Sequence, residues 1–254
     1  DQYTSPYGIM GPPINYAMAA RKYMDMYGED RTRQALAEIA VSTRKWANMN
    51  EKAYFYDKPM SFDDYHESRW ISWPFHLLDC CLVTDAGAAI VVTSLEKAKD
   101  TKKGPIKILG VGEGHDHGSL ISQMPDLTRT YGRKTGPRAL EMAGLDYKDI
   151  DLAMIYDSFT YTVLATLESL GFCGPGEGPD FVADQVTAPG GAFPLNTNGG
   201  GLSYTHPGMY GIFTVIEAVR QLRGETGKRQ LDKCDIALAH GTGGLLSSTG
   251  TVLL

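Results

Sequence analysis

Long hydrophobic runs, abundant cysteine and excess positive charge are all absent from this 254-residue sequence. No stretch approaches the roughly eighteen apolar residues of a membrane-spanning helix, so we expect no such span. Four cysteines without a CxxC pair exclude a disulfide scaffold and a CxxC zinc site. A net charge of −6 argues against a nucleic-acid groove. We therefore expect a cytoplasmic protein with neither nucleic acid nor membrane as a partner.

The composition that remains, 43% hydrophobic and 21% charged, is that of a globular protein with one large or two small domains. Apolar residues at helical spacing predict two amphipathic helices, at Ile14–Tyr27 and Thr32–Met49, with Asp30 as a candidate cap of the second. Residues 52–73 have no clean period and predict a loop-rich excursion. The short apolar run Ala88–Val92 is typical of a buried strand.

A second unit begins near Gly104, and strands alternate with helices along it. The pattern predicts a mixed α/β sheet covered by helices. Its predicted elements are, in order, the strand and glycine turn "PIKILGVGEG", the helix "TYGRKTGPRALEMAGL" with Gly144 near its C-cap, the strand "DIDLAMIYDSF", the helix "TYTVLATLESLGF", the helix Met209–Arg223 closed by Gly224, and two strands joined by an "HGTGG" turn.

Three sequence patterns suggest a nucleotide site, a metal site and reactive cysteines, but their surroundings argue against each. The alternating glycines of "GVGEG" lack the following helix that a dinucleotide fingerprint requires. His115 and His117 offer two metal donors without an obvious third, so we expect no metal. Cys80 and Cys81 lie in an apolar segment, which favours buried, unreactive thiols.

Three other segments favour a functional site. "NTNGGGLSYTHPGMYG" places a glycine run before His206, which Pro207 fixes at a predicted helix start. Glycines let a backbone approach a ligand closely, and a histidine so placed can serve as a base or an oxyanion donor, or merely cap the helix. "YDSF" ends a predicted strand, where open α/β sheets gather ligands. "HGTGG" offers a histidine followed by small residues whose N–H groups could face an oxyanion.

Together these segments resemble the C-terminal half of the thiolase superfamily, and most closely its sterol-carrier-protein-type, lipid-transfer branch. The first is similar to the family's Asn-x-x-Gly-Gly…Gly-His-Pro-x-Gly-x-x-Gly block. "YDSF" stands at the Asn-Glu-Ala-Phe or His-Asp-Cys-Phe block, and "AHGTGG" at Cys-x-Gly-Gly-Gly or His-Asn-x-Gly. The resemblance implies a thiolase-like mixed five-stranded sheet covered by helices, in a C-terminal domain at 104–254. A helical loop domain with the end of the N-terminal half would occupy 1–103.

The resemblance also implies roles for individual residues. His206 matches the histidine that activates the nucleophile, and His240 the second acid/base position. The Thr242 N–H matches an oxyanion donor, Tyr156 replaces the residue that orders an oxyanion-hole water, and Ser158 stands where the sterol-carrier branch has a catalytic cysteine. The remaining candidates are Tyr204 as a catalytic tyrosine and Gly199, Gly200, Gly201 and Ser203 as substrate- or CoA-binding residues.

The family's nucleophilic cysteine lies in a half that precedes the loop domain, and this chain begins with Asp1 just before that domain. The resemblance therefore implies an N-terminal half that is absent from this sequence or supplied by another chain. It further implies coenzyme A as substrate or product with no bound cofactor, and a homodimer or larger assembly. A small zinc-ribbon, OB-fold acyl-CoA-binding protein is an expected partner.

The main functional prediction is an acyltransferase that forms or cleaves C–C bonds in 3-ketoacyl-CoA or related thioesters. One alternative is a retro-aldolase of the steroid side-chain type, which cleaves a β-hydroxyacyl-CoA with tyrosines and without an acyl-enzyme; Tyr156 and Tyr204 favour it. A second is a non-catalytic subunit that binds lipid or acyl-CoA, suggested by the missing cysteines at the second site.

Overall fold

The chain opens with two long helices joined by a single glycine. The computed structural model describes residues 4–118 and 120–254. Helices α1 (Pro12–Tyr27) and α2 (Glu29–Ala47) confirm both helix predictions. Gly28 connects them with φ of 104°, a conformation that glycine adopts without a Cβ penalty. Asp30 was wrongly predicted as the cap: because only Gly28 separates the helices, α2 starts at Glu29 and Asp30 lies inside its first turn.

Short elements fill the excursion that follows. Ser61 and Asp64 form a capping box at the start of the first of them, since each accepts the other's backbone N–H. The elements are α3 (Phe62–Glu67), a hairpin of β1 (Trp70–Ser72) and β2 (Phe75–His76), a 3₁₀ turn at Leu77–Asp79, and α4 (Leu95–Ala98). Another 3₁₀ turn, Ser5–Tyr7, precedes α1.

The run 88–92 is not a buried strand, so this prediction was wrong. Its backbone is extended, but among the described residues no strand pairs with it. Val91 is 90% exposed and Val92 72% exposed. Apolar character alone predicted burial here, and burial needs an element to pack against, which no described segment supplies.

The second unit is built on a mixed sheet, as predicted. The spatial order is β3-β6-β5-β4, with β4 and β5 parallel and the other pairs antiparallel. Helices α5 and α6 pack on one face and α8 on the other. The bounds are β3 (Gly110–His115), α5 (Gly132–Ala143), β4 (Leu152–Ile155), α6 (Thr160–Leu170), α7 (Gly178–Phe181), α8 (Gly211–Leu222), β5 (Ala237–Gly243) and β6 (Ser248–Leu253), with 3₁₀ turns at Ile121–Gln123, Tyr147–Asp149, Ala183–Gln185 and Gly227–Arg229 and one π-helical turn at Gly200–Tyr204.

The sheet has four strands in the described part of the chain rather than the five expected. Leu195 occupies the fifth position but forms only a single bridge, to Ala153. The next residue, Asn196, leaves the extended region with φ of 52°. Its side-chain Oδ1 accepts the Ile155 N–H at 2.8 Å and so replaces the next rung of the ladder.

The glycines of "GVGEG" form strand β3 itself rather than a turn after it. A Cβ on Gly110 would lie 2.0 Å from the Ala139 carbonyl oxygen, and one on Gly112 would lie 2.2 Å from that of Thr135. Alternate residues of a strand point to one face, so this glycine period leaves room for α5 to lie directly on the backbone. Close helix–strand packing, and not a nucleotide, explains the pattern.

The last two strands join at a different place from the one predicted. "HGTG" belongs to β5, and the connection is Gly244–Ser247, where Leu245 and Leu246 have positive φ. The C-terminal glycines of α5 and α8 were predicted correctly: Gly144 and Gly224 both have φ of 68°.

One hydrophobic core contains both predicted units. Tyr23 and Leu36 of the helical part cluster with Leu164 of α6 and Leu238 of β5, all fully buried. The division at residue 103 therefore stays a prediction. Among the described residues no helix is long and apolar enough to cross a membrane.

Candidate active site

Tyr156 and His206 form the centre of the candidate site. Tyr156 follows β4, and its hydroxyl oxygen lies 2.7 Å from Nε2 of His206. The two rings are 5.4 Å apart between centroids and only 7° from parallel. Burial is the main cause that raises the pKa of Tyr156 and lowers the pKa of His206. A neutral imidazole thus faces a protonated phenol, an arrangement in which one proton can move between them.

A third ring, Tyr210, packs against this pair. Its centroid is 5.8 Å from that of Tyr156 and 6.1 Å from that of His206. Tyr210 directly precedes α8, is 1% exposed, and donates its hydroxyl to Asn198 Oδ1 at 3.0 Å. The residue that precedes α8 therefore packs against both rings of the Tyr156–His206 pair.

The backbone of His206 is held from a distant segment. Thr84 Oγ1 accepts the His206 N–H at 2.8 Å and also lies 2.8 Å from Thr205 Oγ1. The sequence predicted that Pro207 alone holds His206 in position, and it gave no sign of Thr84. No local pattern marks Thr84, because the contact joins residues 122 positions apart.

The glycine run packs against protein groups. A Cβ on Gly199 would lie 2.6 Å from Ala47 Cβ, one on Gly200 would lie 2.0 Å from Asp157 Oδ2, and one on Gly201 would lie 2.9 Å from His206 Cδ2. All three glycines are buried. Their missing side chains make room for Ala47, Asp157 and His206, and this corrects the expectation that they open a path for a ligand.

Ser203 is also turned inward. It is 1% exposed, and its Oγ accepts the Arg44 Nε–H at 2.9 Å. Burial lowers the pKa of Arg44 to about 10, so the guanidinium remains charged at neutral pH. With the glycines, Ser203 thus supports the turn before His206 and offers its hydroxyl to Arg44.

Asp157 was not singled out from the sequence, yet it is central to this turn. The side chain is fully buried, and Oδ1 accepts the Gly201 N–H at 2.6 Å while Oδ2 accepts the Leu202 N–H at 3.2 Å. Burial raises its pKa to about 7, against the lowering effect of these amides. The acidic residue inside "YDSF" was the available signal.

Ser158 lies beside a second group of side chains. Its Oγ is 2.9 Å from Thr162 Oγ1, and its carbonyl accepts the Cys81 N–H at 3.0 Å. Burial raises the pKa of Tyr16 of α1 to about 12, and the Ser158 side chain acts in the opposite direction. Burial also raises the pKa of Cys81 to about 12, so this thiol is protonated at neutral pH. Cys80 and Cys81 are half-buried rather than buried as predicted, and their raised pKa agrees with the predicted lack of reactivity.

His240 does not join His206. It is fully buried on β5, where its Nδ1 lies 2.8 Å from Thr251 Oγ1, and its Nε2 has no hydrogen-bond partner among the described residues. It shares a face of β5 with Leu238, two residues earlier, and so faces the α5–α6 side of the sheet, whereas Tyr156 stacks on the α8 side. Burial lowers its pKa to about 3. The role of His240 as the second acid/base therefore stays a prediction, and the structure places its side chain on the opposite face of the sheet from Tyr156.

Thr242 lies two residues further on, pairs with Thr249 of β6, and is 8% exposed. Its amide as an oxyanion donor stays a prediction. Tyr204 ends the π-helical turn and lines an open cleft of about 320 Å³. The cleft is also lined by Lys52, Tyr54, Thr84, Asp85, Ala86 and Thr205. Because Thr84 accepts the His206 N–H, the cleft lies next to the backbone of His206.

Metal ligands are not assembled around this site. Within the described ranges, no three side chains of His, Cys, Asp and Glu are placed to hold an ion together. His115 Nδ1 instead lies 2.7 Å from Ser248 Oγ.

Comparison with known proteins places the site in context. Residues 112–254 match the family described as thiolase C-terminal domain-like. The chain is 39% identical over 259 residues to 17-hydroxy-3-oxo-4-pregnene-20-carboxyl-CoA lyase of Mycobacterium tuberculosis, covering 100% of this chain and 65% of that protein. It is 40% identical over 259 residues to a steroid side-chain-cleaving aldolase of Thermomonospora curvata, covering 98% of this chain and 63% of the aldolase. The chain thus spans less than two thirds of these relatives.

An acetyl-CoA acetyltransferase of Methanothermobacter thermautotrophicus is 33% identical over 245 residues, covering 96% of this chain and 63% of that enzyme. Lipid-transfer and sterol carrier proteins are also among the relatives. Among solved structures, the Ltp2-ChsH2(DUF35) aldolase superposes with a TM-score of 0.91 at 36% identity, covering 99% of this chain and 65% of that chain. These matches confirm the predicted resemblance and the fold class.

Proposed function

This chain belongs to the thiolase superfamily through its thiolase C-terminal domain-like segment, and we propose that it carries the active site of a retro-aldolase acting on a β-hydroxyacyl-CoA of the steroid side-chain type. The observation that carries the proposal is the hydrogen-bonded Tyr156–His206 pair. Two relatives at 39% and 40% identity are named as a lyase and an aldolase. In the substrate that the lyase name describes, the 17-hydroxyl is β to the thioester.

The pair can remove the proton that such a cleavage must lose. Tyr156 accepts the proton of the substrate β-hydroxyl while it passes its own proton to Nε2 of His206. The Cα–Cβ bond then breaks, the β-carbon becomes a ketone, and the bonding electrons form the thioester enolate. The imidazolium returns the proton through Tyr156 to Cα, which leaves a shortened acyl-CoA and the enzyme unchanged. His206 supports the relay because its lowered pKa keeps Nε2 free to accept.

The developing enolate needs hydrogen-bond donors. We propose Tyr204 and the Thr242 amide for this role, with the thioester entering by the cleft that Tyr204 lines. Ser158 would border the pocket from the α6 side through Thr162. Coenzyme A is then the carrier of the substrate acyl group and of the shortened product.

Acyl transfer is the second candidate. The retained His206 and the 33% identity to an acetyl-CoA acetyltransferase favour it. It requires a thiolate nucleophile, and burial raises the pKa of Cys80, Cys81, Cys173 and Cys234 to about 12 each. That nucleophile is expected in the N-terminal half, so these four thiols do not decide between the two reactions, and the names of the two relatives at 39% and 40% identity rank the retro-aldol first. A purely binding subunit ranks third, because both of these relatives are named as enzymes.

We also propose a partner protein of the DUF35 type. The support is the match to the Ltp2-ChsH2(DUF35) aldolase over 99% of this chain. The expected homodimer or larger assembly is retained as part of this proposal. Sedimentation of the purified protein with and without such a partner measures both associations, and a strict monomer that binds no DUF35 protein would contradict them.

The activity is tested with two thioesters in parallel. Purified protein, with and without the DUF35 partner, is incubated with a steroid β-hydroxyacyl-CoA bearing a tertiary hydroxyl, and separately with a 3-ketoacyl-CoA plus free CoA. Release of a ketone and a shortened acyl-CoA from the first alone supports the proposal. Thiolysis of the second alone would favour acyl transfer, and tight binding of both without turnover would favour the binding subunit.

A further inference from the structure

Asp157 ties together the two chain segments that carry the ring pair. It immediately follows Tyr156 at the end of β4, and its carboxylate accepts the N–H groups of Gly201 and Leu202 in the π-helical turn. That turn ends at Tyr204, and His206 follows two residues later. One side chain thus connects the segment of Tyr156 with the segment of His206.

The turn is shaped around this carboxylate. A Cβ on Gly200 would lie 2.0 Å from Asp157 Oδ2, and one on Gly201 would lie 3.1 Å from Oδ1. The same added Cβ on Gly201 would also lie 2.9 Å from Cδ2 of the His206 ring. The carboxylate, the glycine backbone and the imidazole are therefore packed in series, so a shift of the first displaces the last.

A carboxylate can accept both backbone N–H groups of the turn, and an amide side chain cannot. Two N–H donors point at two oxygens, and only an ionised or neutral carboxyl group offers an oxygen to each. Asparagine would turn an NH₂ group toward one of these donors. Burying an ionisable carboxyl group costs free energy of folding. A turn with a structural role alone would therefore gain little stability from a buried aspartate.

We propose that Asp157 is a positioning residue that fixes the separation and the parallel orientation of Tyr156 and His206. The catalytic consequence rests on the function proposed above, and the geometric claim does not. The charge of Asp157 acts in the same direction. Burial is the main cause that raises the pKa of Tyr156 and of Tyr210, and the nearby carboxylate adds to it, second to burial at Tyr210 and after Cys81 and Tyr16 at Tyr156, which keeps both phenols protonated.

The geometric claim is tested by NMR on protein labelled at histidine. The His206 ring lies against Tyr156 and Tyr210, so ring currents displace its carbon-bound proton resonances, which comparison with His206→Gln assigns. In Asp157→Asn we expect these resonances to move toward random-coil values. The matched control is Asp79→Asn, because Asp79 is equally buried and accepts hydrogen bonds from Tyr65, Thr160 and the His76 N–H but none from the glycine turn.

Gly201→Ala provides a second route if Asp157→Asn folds poorly. Its Cβ would press on the same imidazole from the turn side, so the His206 resonances should move here too. Unchanged His206 resonances in both variants, or equal displacement in Asp79→Asn, would overturn the proposal whether or not the protein is an aldolase.

Turnover of the β-hydroxyacyl-CoA supplies the second readout. We expect kcat of Asp157→Asn to fall by up to about 10²-fold, the scale of a misplaced catalytic group, with KM changed less than about threefold. Asp79→Asn should melt at a lower temperature and keep kcat within about twofold. A loss in Asp157→Asn confined to KM would contradict a positioning role. Absence of cleavage in the unmutated protein would instead refute the proposed function and leave the NMR result standing.

Discussion

Thr84 Oγ1 accepts the backbone N–H of His206 at 2.8 Å, although the two residues are 122 positions apart. The bond connects the extended segment after Cys81 with the turn that presents the imidazole. A hydroxyl group in a segment without regular structure thus helps to position His206, which the sequence motif alone does not do.

Thr84→Val should lower turnover and leave the fold intact. Valine keeps the shape and removes the acceptor, which costs about 1 kcal/mol of local stabilisation and lets His206 drift from Tyr156. We expect kcat to fall about tenfold, with Thr84→Ser close to the unmutated protein. Steady-state kinetics of both variants check this. Equal kcat in Thr84→Val and Thr84→Ser would show that the threonine hydroxyl is dispensable.

Tyr156→Phe isolates the phenolic hydroxyl. Phenylalanine preserves the stack on His206 and Tyr210, so the melting temperature should change by only a few degrees. The proton acceptor is lost, and cleavage of the β-hydroxyacyl-CoA should fall by about 10² to 10⁴. Tyr7→Phe, on an exposed ring outside the cleft, is the control for loss of a hydroxyl group. Near-native turnover of Tyr156→Phe would remove the tyrosine from the mechanism.

His240 should make the protein sensitive to acid. Burial lowers its folded-state pKa from 6.5 to about 3, so the unfolded chain binds more protons between these values. The stabilising contribution is complete above pH 6.5 and is lost as pH falls toward 3. His240→Leu should flatten the pH dependence of the unfolding free energy across that window. His66→Leu, at an exposed position, is the control substitution. An unflattened slope in His240→Leu would contradict the lowered pKa of His240.

Gly112→Ala should destabilise the fold although alanine adds one methyl group. Its Cβ would lie 2.2 Å from the Thr135 carbonyl oxygen, and a helix backbone cannot move aside as a side-chain tip can. We expect a loss of about 1–3 kcal/mol or more in denaturant unfolding. Gly250→Ala in the adjacent strand β6 is the matched control, since nothing lies within 4 Å of its added Cβ. Similar losses in both variants would refute close packing as the cause.

The sequence predicted the helices and buried strands well because their signals are local. The spacing of apolar residues in α2 and the uniform apolar run of β4 each reveal one element without reference to any other. Predictions failed where a partner decides the outcome. Val91 is exposed because no described segment covers it, and Gly110 lies in a strand because α5 approaches there.

The residues of the site likewise fall into those that a local motif predicts and those that only distant contacts reveal. Tyr156 and His206 were found because they occupy motif positions, and the structure brings them within hydrogen-bonding distance. His240 has an equally good motif position, but the two-residue alternation of β5 turns it to the other face. Thr84 and Asp157 act through contacts with residues distant in sequence, which no single-chain pattern displays.

The glycines of strand β3 also affect how the strand and helix α5 can move. Where side chains separate a helix from a sheet, they can change rotamer and let the two layers slide. Between β3 and α5 the backbones touch, at Ala139 and Thr135, and nothing soft lies between them. These two elements should therefore open to solvent together or not at all, and their amide protons should exchange in a single slow group.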